Sequence, residues 1–365
     1  MSVDVLFRSF EHPKLTLKNR VVMAPMTRSH SPNGVPGDDV VEYYRKRAAG
    51  GTGLIVSEGT LIDHPAATDD VNVPFFYSEA ALAGWKKVID TVHAAGGKMV
   101  PQIWHVGSTR RPGTGPFPDA PSVSPSGLVA PGKKKFEPLA VAEIEQLVQA
   151  YAQAALNAKN LGFDGVEIHG AHGYLIDQFF WEGTNLRDDH YGGSLVKRTR
   201  FAVEIVQAIR ELCGEDFPII LRWSQWKQQD FNAKLANTPD ELAQFLEPLS
   251  NAGVDIFHCS QRRFWETEFE GSELNLAGWT KEITSKPSIS VGSVSLNEEF
   301  VASFKGADAA VASIDNLVER MENGEFDLIA IGRALLANSD WANKVNDGKF
   351  DQLKPFTQED RLNLR

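Results

Sequence analysis

The stretch Gly165-Val-Glu-Ile-His169-Gly-Ala-His172-Gly-Tyr174 sets the reading of the fold. It opens as a short β-prone run and ends in polar, ring-bearing residues. Seven other segments repeat that plan: Val21–Ala24, Gly53–Ser57, Lys98–Ile103, Pro218–Arg222, Asp255–His258, Ser288–Val291 and Leu328–Ile331. Most are near-continuous Val/Ile/Leu runs, as expected of parallel strands buried on both faces. Helical faces lie between them. Ile144, Leu147, Val148, Tyr151 and Ala155 share one; Phe201, Ile205, Ala208, Ile209 and Leu212 another; Leu242, Phe245, Leu246 and Leu249 a third. Thr238-Pro239-Asp240-Glu241 is a helix start, with a capping residue and then Pro in the first turn. Eight βα units in series imply a parallel sheet with right-handed crossovers. The expected class is α/β, a closed (β/α)8 TIM barrel spanning 1–365 as one domain. An open doubly wound sheet is the alternative, but no Gly-x-Gly-x-x-Gly opens a helix after a strand.

One segment breaks the rhythm. Residues 105–138 are rich in Gly, Pro and Ser and have little periodicity, and they are too long for an ordinary βα loop. Following the third strand, they are expected to form a lid or hairpin insertion over the C-terminal mouth of the barrel. The 365 residues allow one large barrel, and 42% hydrophobic with 23% charged is ordinary for a globular enzyme. A net charge of −11 argues against nucleic acid, which needs a basic patch. The basic runs Lys133-Lys134-Lys135 and Arg110-Arg111 read as solvated loop charge. Two distant cysteines, Cys213 and Cys259, argue against a disulfide scaffold or a thiolate metal site. The start, Met1-Ser-Val-Asp-Val-Leu-Phe-Arg8, has no basic-then-apolar pattern of a leader. No run is apolar enough to span a membrane. A cytoplasmic location is expected, and the oligomeric state is open.

Catalytic groups of a barrel enzyme lie at or just after the C-terminal ends of its strands. There the sequence places Thr27, Glu58-Gly59, Gln102 with Trp104 and His105, His169 with His172 and Tyr174, Arg222, His258-Cys259, Gly292-Ser293 and Gly332-Arg333. Barrels that bind phosphate commonly do so after strands seven and eight. Gly292, Ser293, Gly332 and Arg333 supply close backbone approach and a bidentate cation for it. The two histidines could instead bind a metal, but Gly170 and Gly173 beside them read as a turn, and Glu167 lies within the strand. His105 and His258 read as substrate contacts or, in preference, satisfied interior histidines, and Cys259 as a small buried residue.

The run from His169 to Tyr174, with Asn185-Leu-Arg-Asp-Asp-His-Tyr191-Gly-Gly-Ser194 and Arg200-Phe201, resembles the old yellow enzyme family of flavin oxidoreductases. So do Leu17-Lys-Asn-Arg20, Ala24-Pro-Met-Thr-Arg28, Glu42-Tyr-Tyr44 with Arg47-Ala48, Gln102-Ile-Trp104, and Ile331-Gly-Arg-Ala-Leu-Leu-Ala-Asn338. The similarity runs in order over nearly the whole chain.

The resemblance implies non-covalent FMN on a (β/α)8 barrel, with NAD(P)H as electron donor. By the same resemblance, Ala24, Pro25, Met26 and Thr27 lie against the flavin ring, and Gly59 offers backbone contact. Gln102 bonds the pyrimidine edge, and Arg222 sits where negative charge collects in the reduced flavin. Gly292, Ser293, Gly332 and Arg333 hold the phosphate. The implied reaction moves a hydride through flavin N5 to the β-carbon of an α,β-unsaturated carbonyl or nitroalkene. His169 and His172 donate to the substrate oxygen, and Tyr174 protonates the α-carbon.

The chain departs from the family after Arg222, where relatives commonly read Leu-Ser-Pro and this one reads Trp223-Ser-Gln-Trp-Lys-Gln-Gln-Asp230. The loop Gln261-Arg-Arg-Phe-Trp-Glu-Thr267 is also unusual. Trp104, Arg262 and Arg263 are expected substrate contacts, the arginines favouring a bulky or anionic substrate. Two other classes remain at this point: a flavin barrel with another task, such as amine demethylation or dienoyl thioester reduction, and a metal hydrolase.

Overall fold

In the computed structural model, all eight apolar runs become strands of one closed parallel barrel. They are β1 (Val21–Met23), β2 (Leu54–Leu61), β3 (Lys98–Trp104), β4 (Val166–His172), β5 (Ile219–Lys227), β6 (Ile256–Ser260), β7 (Ser288–Val291) and β8 (Leu328–Ile331). The ring closes where Ile329 of β8 pairs with Val21 of β1. Residues 2–365 are described, without the side chain of Phe304; Met1 of the stretch inspected for a leader lies outside them. No helix among these residues is long and apolar enough to cross a membrane.

Alternation along the strands divides the core in two. Val22, Leu54, Val100, Ile220, Ile256, Ile289 and Leu328 fill the barrel interior. Phe10, Leu15 and Leu17 join that cluster from the hairpin Phe10–His12/Leu15–Leu17 and plug its lower end. Each such side chain, fully buried, contributes roughly 1.5–3 kcal/mol. The second core lies between strands and helices. Helix Val141–Leu161 buries Ile144, Leu147, Val148, Tyr151 and Ala155, and helix Pro239–Ala252 buries Leu242, Phe245, Leu246 and Leu249. The Thr238 side chain accepts from the Glu241 N–H at 3.2 Å, the expected cap.

Three features depart from the expectations. Leu212 is exposed; the buried face of helix Arg200–Cys213 runs Phe201, Ala202, Ile205, Val206, Ile209, Arg210 and Cys213. Strands β2, β4 and β5 extend past their apolar runs, with bulges in the pairing of β2 with β3 and of β4 with β5. Arg110 is not solvated loop charge. It is buried and donates to the carbonyls of Thr68, Thr114, Phe117 and Ala120, so it braces the insertion from inside. The insertion itself holds a short 3-10 turn, Gly107–Thr109, and an antiparallel hairpin, Leu128–Ala130 with Lys133–Lys134.

Candidate active site

A cavity of about 710 Å³ opens where the strands end, within the usual range for a ligand site. Its wall takes Ala24, Pro25, Met26 and Thr27 from the loop after β1, Gln102 and Trp104 from β3, and His169, His172 and Tyr174 from the end of β4. Arg222 and Trp226 of β5, Arg262, Gly292, Ser293, Gly332 and Arg333 complete it. Two expected contacts are set back. A Cβ on Gly59 would lie 2.4 Å from the Trp104 ring, so this glycine lets Trp104 lie flat against β2. Arg263 is not part of the wall and pairs with Glu266 at 2.8 Å.

At one end the rings of His169, His172, Tyr174 and Trp104 form a cluster. His169 meets His172 edge-on at 5.3 Å and Tyr174 at 5.0 Å, and Trp104 meets Tyr174 at 4.9 Å between centroids. His172 has φ +64°, the left-handed region a β-carbon disfavours. Its backbone is held there by neighbours. The His172 N–H donates to Ser224 Oγ at 2.9 Å, its carbonyl accepts from Gln228 N–H at 3.3 Å, and Gly173 N–H donates to Asp177 Oδ2 at 2.7 Å. Asp177 in turn pairs with Lys227 at 2.6 Å, both fully buried. Burial pushes the Asp177 carboxyl up to about 6, with Lys227 opposing. The residues after Arg222 therefore extend β5 and clamp the turn that carries the ring cluster.

Desolvation, then the Arg222 cation, holds both His169 and His172 well below the ordinary histidine range, so both are neutral. A neutral imidazole keeps one N–H to donate. His172 Nε2 lies 2.7 Å from Ser260 Oγ, and its ring stacks on Trp226 at 4.3 Å. His169 Nδ1 is buried with no hydrogen-bond partner among the described residues. Burial raises the Tyr174 phenol above its usual value, with a hydrogen bond from Gln228 opposing, so it keeps its proton.

Beneath the rings lies a polar floor. Arg222 is pushed down to about 10 by burial, with Glu167 opposing, and stays cationic at neutral pH. Among the described residues it makes no salt bridge and its buried Nε has no partner; its guanidinium lies 3.4 Å from Ser260 Oγ. Gln102 Nε2 donates to Glu167 Oε1 at 2.8 Å, and His258 Nδ1 lies 2.7 Å from Glu167 Oε2. His258 and His105 are interior histidines, the latter 2.9 Å from His64 Nδ1. Cys259 bonds the Thr280 hydroxyl. No group of three or more His, Cys, Asp or Glu able to hold a metal occurs among the described residues.

The far end is built differently. Gly292 has φ +141°, and a Cβ there would lie 2.8 Å from the Gln261 carbonyl. Ser293 also has positive φ, and its hydroxyl donates to the Arg262 carbonyl at 3.0 Å. Arg333 donates to the Glu299 carbonyl at 3.1 Å, to Ser303 Oγ at 2.5 Å and to the Glu298 carbonyl. Burial pushes it down to about 10, still cationic.

These features fit FMN. An apolar side made by Ala24, Met26, Val291 and Ala330 suits a flat ring. The unpartnered Arg222 Nε and His169 Nδ1 supply polar groups at one end, and Arg333 with Gly292 offers the other end to a phosphate.

Fold and site together define a flavin-binding barrel oxidoreductase. Residues 5–352 match the NADH:flavin oxidoreductase / NADH oxidase family, and the chain belongs to it. It is an NAD(P)H-dependent flavin oxidoreductase with FMN as cofactor. It is 34% identical over 353 residues to 12-oxophytodienoate reductase 7 of Oryza sativa subsp. japonica, covering 92% of this chain and 86% of that protein. It is also 34% identical to NADH oxidase of Thermoanaerobacter brockii, covering 96% of this chain but only 52% of that longer protein. Among solved structures, morphinone reductase in complex with tetrahydroNAD superposes with a TM-score of 0.81 at 29% identity, covering 99% of this chain and 97% of that one.

Proposed function

We propose that the protein reduces activated alkenes, α,β-unsaturated carbonyls or nitroalkenes, with NAD(P)H as donor. The chemistry supplied by bound FMN is hydride transfer from the nicotinamide, through flavin N5, to the β-carbon of the alkene. Ala24, Pro25, Met26, Thr27 and Gln102 would hold the flavin ring, with Gly59 placing Trp104 beside it. Arg222 would face the pyrimidine edge, and Gly292, Ser293, Gly332 and Arg333 would take the phosphate. His169 and His172, both neutral, donate to the substrate oxygen, where negative charge grows as the β-carbon is attacked. Donors held before the reaction begins need no reorganisation to stabilise that charge. Tyr174 gives its proton to the α-carbon. Trp104 and Arg262 line the substrate side, and residues 105–138 cover the mouth within a single domain.

The observation that carries this reading is the edge-on cluster of His169, His172 and Tyr174 on the wall of a cavity whose opposite end holds Arg333. The 12-oxophytodienoate and morphinone reductases supply its support from relatives. The Tyr174→Phe variant tests the acid. Reduction by NAD(P)H should stay within a few-fold of wild type, and reoxidation by 2-cyclohexenone should slow by about 10²-fold or more. Loss confined to the reductive half would remove Tyr174 from that role.

A further inference from the structure

Glu167 is a fully buried carboxylate inside a barrel strand, flanked there by Val166 and Ile168. A buried charge is tolerated only when it is paired or hydrogen-bonded. Glu167 has both oxygens bonded: Oε1 accepts from Gln102 Nε2 at 2.8 Å, and Oε2 accepts from His258 Nδ1 at 2.7 Å. Burial keeps His258 in its neutral form, so neither hydrogen-bond partner cancels the charge. The compensating cation is Arg222, which attracts Glu167 across the floor without touching it. Gln102 and Arg222 both face the cavity, and Glu167 sits directly behind them.

Two consequences follow. With one Nε2 hydrogen committed to Glu167, the Gln102 amide is fixed in orientation, and its oxygen is left as an acceptor. And because the interior is dry, the Glu167 charge acts on the flavin site with little screening. Reduction brings negative charge to a flavin; Arg222 favours that change, and Glu167 opposes it.

We propose that Glu167 is a positioning residue that orients Gln102 and, as the negative counterweight to Arg222, holds down the reduction potential of bound FMN. This rests on the flavin reading above.

Spectroelectrochemical titration of the FMN-loaded protein tests it. Glu167→Gln should retain FMN and move the midpoint to a more positive potential. The two-electron equilibrium should shift at least tenfold, about 30 mV. Glu167→Met provides a second neutral variant of similar length should the Gln substitution fail to fold. Glu167→Asp, which keeps the charge, should stay within a few-fold of wild type. A purely structural role would not separate the neutral variants from the charged one. Neutral variants that bind FMN with the potential unmoved, or moved to more negative values, would overturn the proposal alone. A wild-type protein that takes up no FMN would overturn the flavin reading, and this proposal with it.

Discussion

The two ends of the cavity are prepared in different ways. At the ring cluster, the polar groups are fixed by buried partners: Ser224 and Asp177 on the His172 turn, Ser260 on the His172 ring, Glu167 on Gln102. At the Arg333 end, proposed above for the phosphate, the guanidinium is satisfied by two loop carbonyls and the Ser303 hydroxyl, groups that a phosphate can replace. One end is set before ligand arrives. The other keeps its cation bonded through contacts that exchange. The difference teaches where each kind of substitution should register: in rate at the first end, in cofactor affinity at the second.

The largest effect should come from His169→Ala. FMN should remain bound, while reoxidation by a neutral enone falls by about 10²–10³-fold, the usual loss when an oxyanion donor is removed. Stopped-flow reoxidation measures it, and loss of FMN instead would erase the division between the ends.

Arg333→Ala should do the reverse. Losing a charge-assisted bond of about 1.5–3 kcal/mol weakens FMN binding by roughly 10- to 150-fold, read by flavin fluorescence titration. The rate of the loaded enzyme should change little.

The pH profile sharpens the contrast. His169 and His172 are depressed well below the ordinary value, so they are already neutral at about pH 6, and falling pH would protonate them only in stronger acid. Tyr174 is raised, so it loses its proton only in strong base. Reoxidation should therefore be flat from about pH 7 to about pH 9, above the range in which Asp177 of the His172 clamp titrates. A limb inside that window would mean that one of the three rings titrates in the site.

The smallest effect concerns the two arginines after β6. Arg262 lines the cavity with Glu299 3.5 Å away, whereas Arg263 lies behind it on Glu266. Arg262→Ala should lower kcat/KM a few-fold for anionic enones only, because Glu299 already offsets part of its charge. Arg263→Ala should change neither substrate set.

Much of this was legible in the sequence, and for a clear reason. Strand ends are local features: an apolar run stops and polar residues follow, so Gln102, His169, Arg222 and Arg333 could be placed on the mouth one at a time. Gly59 passed the same filter, and Arg263 was expected from its unusual loop, yet both are set back from the wall, because order along the chain does not give side-chain direction. What the pattern could not show was pairing across the barrel. Glu167 meets His258 91 residues away, and Lys227 meets Asp177 50 residues away. A lone Glu within Val166-Glu-Ile168 was the available signal, since a polar residue in a buried run is the informative exception. The chain's departure after Arg222 was legible as unusual. Its role as the clamp on the His172 turn required the β4–β5 register.

The most direct measurement of the central claim is an anaerobic double-mixing experiment on the FMN-loaded protein. The flavin band should bleach with NADH or NADPH, then return on addition of 2-cyclohexenone with cyclohexanone formed in equal amount. A flavin that bleaches but is restored only by oxygen, leaving the enone unchanged, would contradict the assignment of this cavity to alkene reduction.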